Sequence, residues 1–234
     1  MNAKILIVAL CAFQLAAGQN ASSLTQAFNS AASSATASVQ TQVTSAIQQA
    51  QAAANATIQN ITQQLQAVQT AAEQYAQNIN ASSQEAAACL SNAANQSAAI
   101  INATQASIQQ QLANATAQIT AVGQNFATSL SSLASNIASQ ISNLVSLLSN
   151  PLNLILNPTK ITNTVSQIQT SISSIPTLAQ SAIQNISQVA ATPTPDTYSS
   201  AANQGPALFN QTVQCLQNSV ASATPADNST AGTP

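Results

Sequence analysis

An all-α fold of long amphipathic helices is what two properties of this 234-residue chain predict. Apolar residues recur at alternating steps of three and four across residues 24–148, the spacing that places them on one helical face. Ala and Gln, good helix formers, fill many of the positions between them. The expected arrangement is a set of long antiparallel helices in a coiled-coil-like hairpin or an elongated bundle, with a disordered C-terminal tail.

Residues 1–18 have the form of a secretory signal peptide. Met1 to Lys4 is a short positive start, Ile5 to Leu15 is apolar except for Gln14, and Ala16-Ala17-Gly18 offers small residues for cleavage before Gln19. The apolar stretch is short for a bilayer span, so the expected product is secreted and extracellular, with no membrane span.

Residues 19–190 then read as one elongated helical domain with a connector at 149–158. Leu24, Phe28, Ala35, Val39, Val43 and Ile47 begin the stripe. Ile58, Ile61, Leu65, Val68, Ala72, Tyr75 and Ile79 continue it with the seam of a coiled coil. It thins to alanine between Asn78 and Asn95, where a chain reversal is expected. A second stripe runs through Leu112, Ala115, Ile119, Val122, Phe126, Leu130, Leu133, Ile137, Ile141, Leu144 and Leu148. Its spacing is nearer the straight-helix period, so it should supercoil little.

Pro151 and Pro158 keep the residues before them out of the helical region, which marks the connector. Ile161, Val165, Ile168, Ile172 and Ile175 form a return helix that Pro176 should break or kink, followed by a short amphipathic piece from Leu178 to Val189. Residues 191–205 read as a linker, 206–220 as a short helix with Cys215, and 221–234 as a disordered tail whose Ser, Thr and Pro suit O-linked sugar.

Charge is nearly absent. Beyond the leader the charged side chains are Glu73, Glu85, Lys160, Asp196 and Asp227, and the chain has no His. A catalytic centre therefore has little to draw on. Glu73 and Glu85 would stand about 18 Å apart on one straight helix, and no base is available to activate a Ser or Thr. No metal site, cofactor or nucleic-acid partner is expected, for want of ligands and of positive charge. Lys160 reads as a solvated residue at a helix start. As the one tryptic position of the mature chain it also implies resistance to trypsin-like proteases, although compositional drift would leave the same pattern.

Loss of Cys11 with the leader leaves Cys89 and Cys215, an even pair in an oxidising compartment. They are expected to bridge within the chain, the alternatives being free thiols or an intermolecular bond. Asn-x-Ser/Thr sites occur at Asn20, Asn55, Asn60, Asn80, Asn95, Asn102, Asn114, Asn185, Asn210 and Asn228. Chance supplies some of these in so Asn-rich, Ser-rich and Thr-rich a chain. Asn60 and Asn80 nevertheless fall off the seam, and more than half of the sites are expected to carry sugar, which would take over the solubilising role of charge.

The Cys-containing amphipathic pieces Ala86-Ala-Ala-Cys-Leu-Ser-Asn92 and Phe209-Asn-Gln-Thr-Val-Gln-Cys-Leu-Gln217, with the leader and the helical body, resemble the insect secreted proteins related to the tsetse midgut EP protein. The resemblance covers Asn55 to Gln217, and the scarcity of charge departs from it. It implies a midgut-associated or immune-responsive protein with no enzymatic site.

The functional expectation is a secreted, N-glycosylated, protease-resistant protein that coats, binds or serves immunity without catalysis, toward an extracellular partner or surface that the sequence does not specify. A self-assembling silk-like or glue-like protein is the alternative. Ice binding is disfavoured because the eleven-residue threonine spacing begun by Thr25 and Thr36 fails at Ile47. Lipid binding is disfavoured because the polar faces lack bordering Lys and Glu.

Overall fold

The computed structural model describes residues 3–81, 83–149, 157–191 and 195–223, and among these it is all-α. The helices are α1 (Ala3–Asn78), α2 (Gln84–Ser149), α3 (Pro158–Ala191) and α4 (Pro195–Ala223). They contribute to two compact units. Unit 1 comprises residues 1–47 and 116–190, and unit 2 comprises residues 48–115 and 191–234. Residues 19–190, expected as one elongated helical domain, contribute to both units, and Ala201, Leu208 and Leu216 lie in the core of unit 2.

Local chemistry explains how so Ser-rich and Thr-rich a chain stays helical. Threonine hydroxyls donate to the carbonyl one turn back, as in Thr44 to Gln40 (3.0 Å), Thr62 to Ile58 (2.8 Å), Thr120 to Thr116 (2.8 Å) and Thr170 to Ser166 (2.9 Å). The hydroxyl is thus satisfied inside the helix instead of competing with it.

The reversal expected between Asn78 and Asn95 is confined to the short segment after Asn78. Asn80 takes φ 51°, a left-handed conformation that Asn tolerates. The Ala81 N–H reaches back to the Ala76 carbonyl (2.9 Å) and the Asn80 N–H to Gln77 (3.1 Å), which closes α1. Ser83 then caps α2, its hydroxyl accepting from the Ala86 N–H at 3.1 Å. At the start of α3, Asn157 holds the Lys160 N–H through its carbonyl (3.1 Å), and Pro158 occupies the first helical position, where its missing N–H is not needed.

At Pro176, where a break or kink was expected, the chain stays helical, and of the linker expected over 191–205 residues 195–205 are helical while 192–194 lie outside the described residues. Helix α4 begins at Pro195 and runs through Gly205 and Pro206. Both internal prolines are exposed while their neighbours Ile175, Ala179, Gly205 and Leu208 are buried. Packing on one face outweighs the hydrogen bond lost on the other, where water can serve the freed carbonyl. The tail expected from residue 221 is helical to Ala223, and residues 224–234 lie outside the described residues, as do 150–156 of the connector.

In unit 1, Ala35, Val39 and Ala46 of α1 pack with Ile119 and Phe126 of α2 and with Ile175, Ala179, Ala182 and Ile186 of α3. A second cluster joins Ile137, Leu144 and Leu148 to Ile168. In unit 2, Ile61 and Leu65 of α1 meet Ala93 of α2 and Ala201 and Leu208 of α4. Ala76, Ala86, Cys89 and Leu216 form its other cluster.

The longest runs of buried positions along α1 and α2 recur every eleven residues, while α3 also buries Ile168, Ile175 and Ala182 at steps of seven. Helix α1 buries Val39, Ala50, Ile61 and Ala72, and α2 buries Ala93, Thr104, Ala115, Phe126, Ile137 and Leu148. Helix α4 repeats the step at Ala201 and Thr212, and at Leu208 and Ser219. Eleven residues in three turns is 3.67 per turn, so these faces stay in register without the left-handed winding that a heptad imposes. Seam residues Ile58, Val68, Tyr75 and Ile79 accordingly lie half-buried beside the core.

Candidate glycan-bearing surface and disulfide

In an α-helix two positions i and i+2 lie about 200° apart, so an Asn that points outward can turn the third residue of its Asn-x-Ser/Thr triplet inward, although Ser187 of the triplet at Asn185 is exposed. All the described acceptor side chains at Asn55, Asn60, Asn80, Asn95, Asn102, Asn114, Asn185 and Asn210 are exposed. Asn20 lies in α1, and Asn228 is outside the described residues.

The inward partners are more informative. Among the described residues the buried polar ones are Ser97, Thr104, Thr212 and Ser219. Three of these four, Ser97, Thr104 and Thr212, are the third residues of the triplets at Asn95, Asn102 and Asn210. Thr212 donates to the Leu208 carbonyl at 2.8 Å. Ser97 is 0% exposed and its Oγ has no hydrogen-bond partner. An unpaired buried hydroxyl costs roughly 1–3 kcal/mol, and alanine, used throughout this core, would avoid it. In the sequence the triplets mark Asn positions, and the inward turn of their hydroxyl partners follows from the same spacing once the buried face is known.

The structure joins Cys89 of α2 to Cys215 of α4, with S–S 1.93 Å, Cα–Cα 5.8 Å and a sequence separation of 126. Cys89 is buried against Ala76, Ala86 and Leu216, whereas Cys215 is exposed. Close by, the Gln217 side chain donates to the Tyr75 hydroxyl at 2.7 Å. These contacts fasten the C-terminal half of α4 to both α1 and α2 within unit 2.

The remaining polar candidates stay apart from any cleft. Glu73 and Glu85 are exposed, and the reversal lies between them, so the separation expected on one straight helix does not apply. Lys160 is exposed in the first turn of α3. Among the described residues no three His, Cys, Asp or Glu cluster as metal ligands, and no helix is long and apolar enough to cross a membrane.

Shallow grooves lie among the described residues. One of about 550 Å³ runs along Val68, Ala71, Gly205, Pro206 and Phe209 in unit 2. One of about 480 Å³ in unit 1 passes Val39, Val43, Gly123 and Phe126, and a more polar one of about 330 Å³ in unit 2 passes Thr104, Ser107 and Gln204. None brings a nucleophile to a base. No family model, curated protein or solved structure matches the chain.

Proposed function

We propose that this is a secreted, N-glycosylated, non-enzymatic helical protein that acts as a coating, binding or immune-associated component of an extracellular fluid, in the manner of the insect midgut EP-type proteins. The observation that carries the reading is the pairing of exposed Asn95, Asn102 and Asn210 with buried Ser97, Thr104 and Thr212. Hydroxyls at core positions are unfavourable for packing, and glycosylation is a reason for them to be there, because the triplet requires Ser or Thr at its third position. Sugar on the exposed Asn residues would supply the hydration that a surface with so little charge lacks. Long helices folded back as a coiled-coil-like hairpin would present those sugars along their outer faces.

Self-assembly into fibres is the second reading. It has less support, since Val145 is the large hydrophobic side chain left exposed among the described residues and offers no extended apolar face.

The test is intact mass before and after enzymatic release of N-linked sugar, on protein secreted from insect cells. The expected result is a large mass loss, with Asn95, Asn102 and Asn210 among the modified sites. An unchanged mass in a protein that remains soluble would remove the reading.

A further inference from the structure

We infer that the chain is built for one limited cleavage by a basic-residue-specific serine protease, at Lys160–Ile161, which converts it to a two-chain molecule held by the Cys89–Cys215 disulfide. Lys160 is the single Lys or Arg beyond Lys4. It does not serve the fold visibly. Its side chain is exposed and has no acidic partner among the described residues. A positive charge in the first turn of α3 also opposes the helix dipole, which favours anions there. A neutral amide, so common elsewhere in this chain, would suit the position better.

The backbone around Lys160 is suited to opening. Helix ends open at lower free-energy cost than helix interiors, and here the opening would release the Lys160 N–H from the Asn157 carbonyl. Pro158, Thr159, Lys160, Thr162 and Asn163 are all exposed, and Ile161, Thr164 and Val165 are half-buried. The fully buried residues of α3 come later, at Ile168, Ile175, Ala179, Ala182 and Ile186, while Ile161 and Val165 pack at the edge of the cluster of Ile137, Leu144, Leu148 and Ile168. Opening of 157–164 would lift Ile161 from that edge and leave the fully buried residues seated. The residue after the scissile bond is Ile161, so no proline obstructs attack. Water adds across the Lys160 carbonyl carbon–Ile161 nitrogen bond, leaving a carboxylate on Lys160 and a free amino group on Ile161.

What the cut would not do is separate the pieces. The first chain carries α1, α2 and Cys89, and the second carries α3, α4 and Cys215. The disulfide joins them, and the packing of α3 in unit 1 and of α4 in unit 2 supplements it. Protease resistance then means survival as a nicked molecule with a new amino terminus, not absence of cutting.

Limited digestion of the purified, oxidised full-length secreted chain with trypsin tests this, and its readout does not depend on whether sugar is attached. The expected result is one cut, giving a single band without reductant and two bands with it, the shorter beginning at Ile161. The native rate should lie within about a hundredfold of that of the reduced, urea-unfolded chain, as for end fraying. Protection of roughly a thousandfold or more would show that cutting needs global unfolding and would overturn the inference. So would separation of the fragments without reductant. The variant Lys160→Gln, with unchanged helicity by circular dichroism, should lose the cut entirely; its persistence would place the cleavage elsewhere.

Discussion

Unit 1 fills its core mostly with Val39, Ile119, Phe126, Ile137, Leu144, Leu148, Ile168, Ile175 and Ile186, with Ala35, Ala46, Ala179 and Ala182 among them. Unit 2 buries fewer large side chains, Ile61, Leu65, Ile108, Leu208 and Leu216, and more alanines, among them Ala50, Ala54, Ala72, Ala76, Ala86, Ala93, Ala115 and Ala201, with the four buried hydroxyl residues found among the described residues. A buried Ile, Leu or Phe contributes about 1.5–3 kcal/mol and an alanine much less. Unit 2 also has the disulfide, and it holds the Asn of eight of the ten Asn-x-Ser/Thr triplets, those at Asn55, Asn60, Asn80, Asn95, Asn102, Asn114, Asn210 and Asn228. The contrast shows two ways to stabilise long packed helices: by volume of side chain, or by a covalent tether where small and hydroxyl residues limit that volume.

The sharpest way to break this comparison is to remove the tether. Cys89→Ala combined with Cys215→Ala should lower the stability of unit 2 by about 4–5 kcal/mol in the chain-entropy model for so long a loop. Hydrogen exchange should rise most in α4 and in residues 84–115. Equal loss of protection in residues 116–149 and α3 would mean that the units do not differ in this respect.

Next in size is Phe126→Ala, which should cost unit 1 about 3–5 kcal/mol through the cavity it leaves beside Ile119 and Ile175. Chemical denaturation would measure it. A loss below 1 kcal/mol would show that unit 1 does not depend on side-chain volume as argued.

The smallest effect has the opposite sign. Ser97→Ala removes an unpaired buried hydroxyl and, in protein produced without sugar, should raise stability by about 1 kcal/mol or more. In secreted protein the same change deletes the triplet at Asn95 and should cost one glycan by mass. Destabilisation of the sugar-free form would show that Ser97 is held for packing, not for glycosylation.

Helix content was legible because three–four spacing and propensity are local, and the stripes from Leu24 to Leu148 and from Ile161 to Val189 do lie in helices. That the chain stays helical through Pro176 and over 195–205 was not legible, for the converse reason. The expectations there rested on the cost to one local hydrogen bond, while Ile175, Ala179, Ala201 and Leu208 are held by residues far away in sequence. The Asn-x-Ser/Thr triplets were visible in the sequence, but which of their hydroxyls face the core depended on knowing the buried face.

The sequence by itself determined the helical period, the scarcity of charge and the two cysteines free to pair. The tertiary structure decided the division into two units, the eleven-residue spacing of the buried face, the seating of α4 beside Cys89, and the burial of Ser97, Thr104 and Thr212. The physical reason is that a helix's own spacing marks a broad apolar stripe, and alanine within it fits many neighbours nearly equally well. Only contact with particular partners selects which positions of that stripe are closed to water.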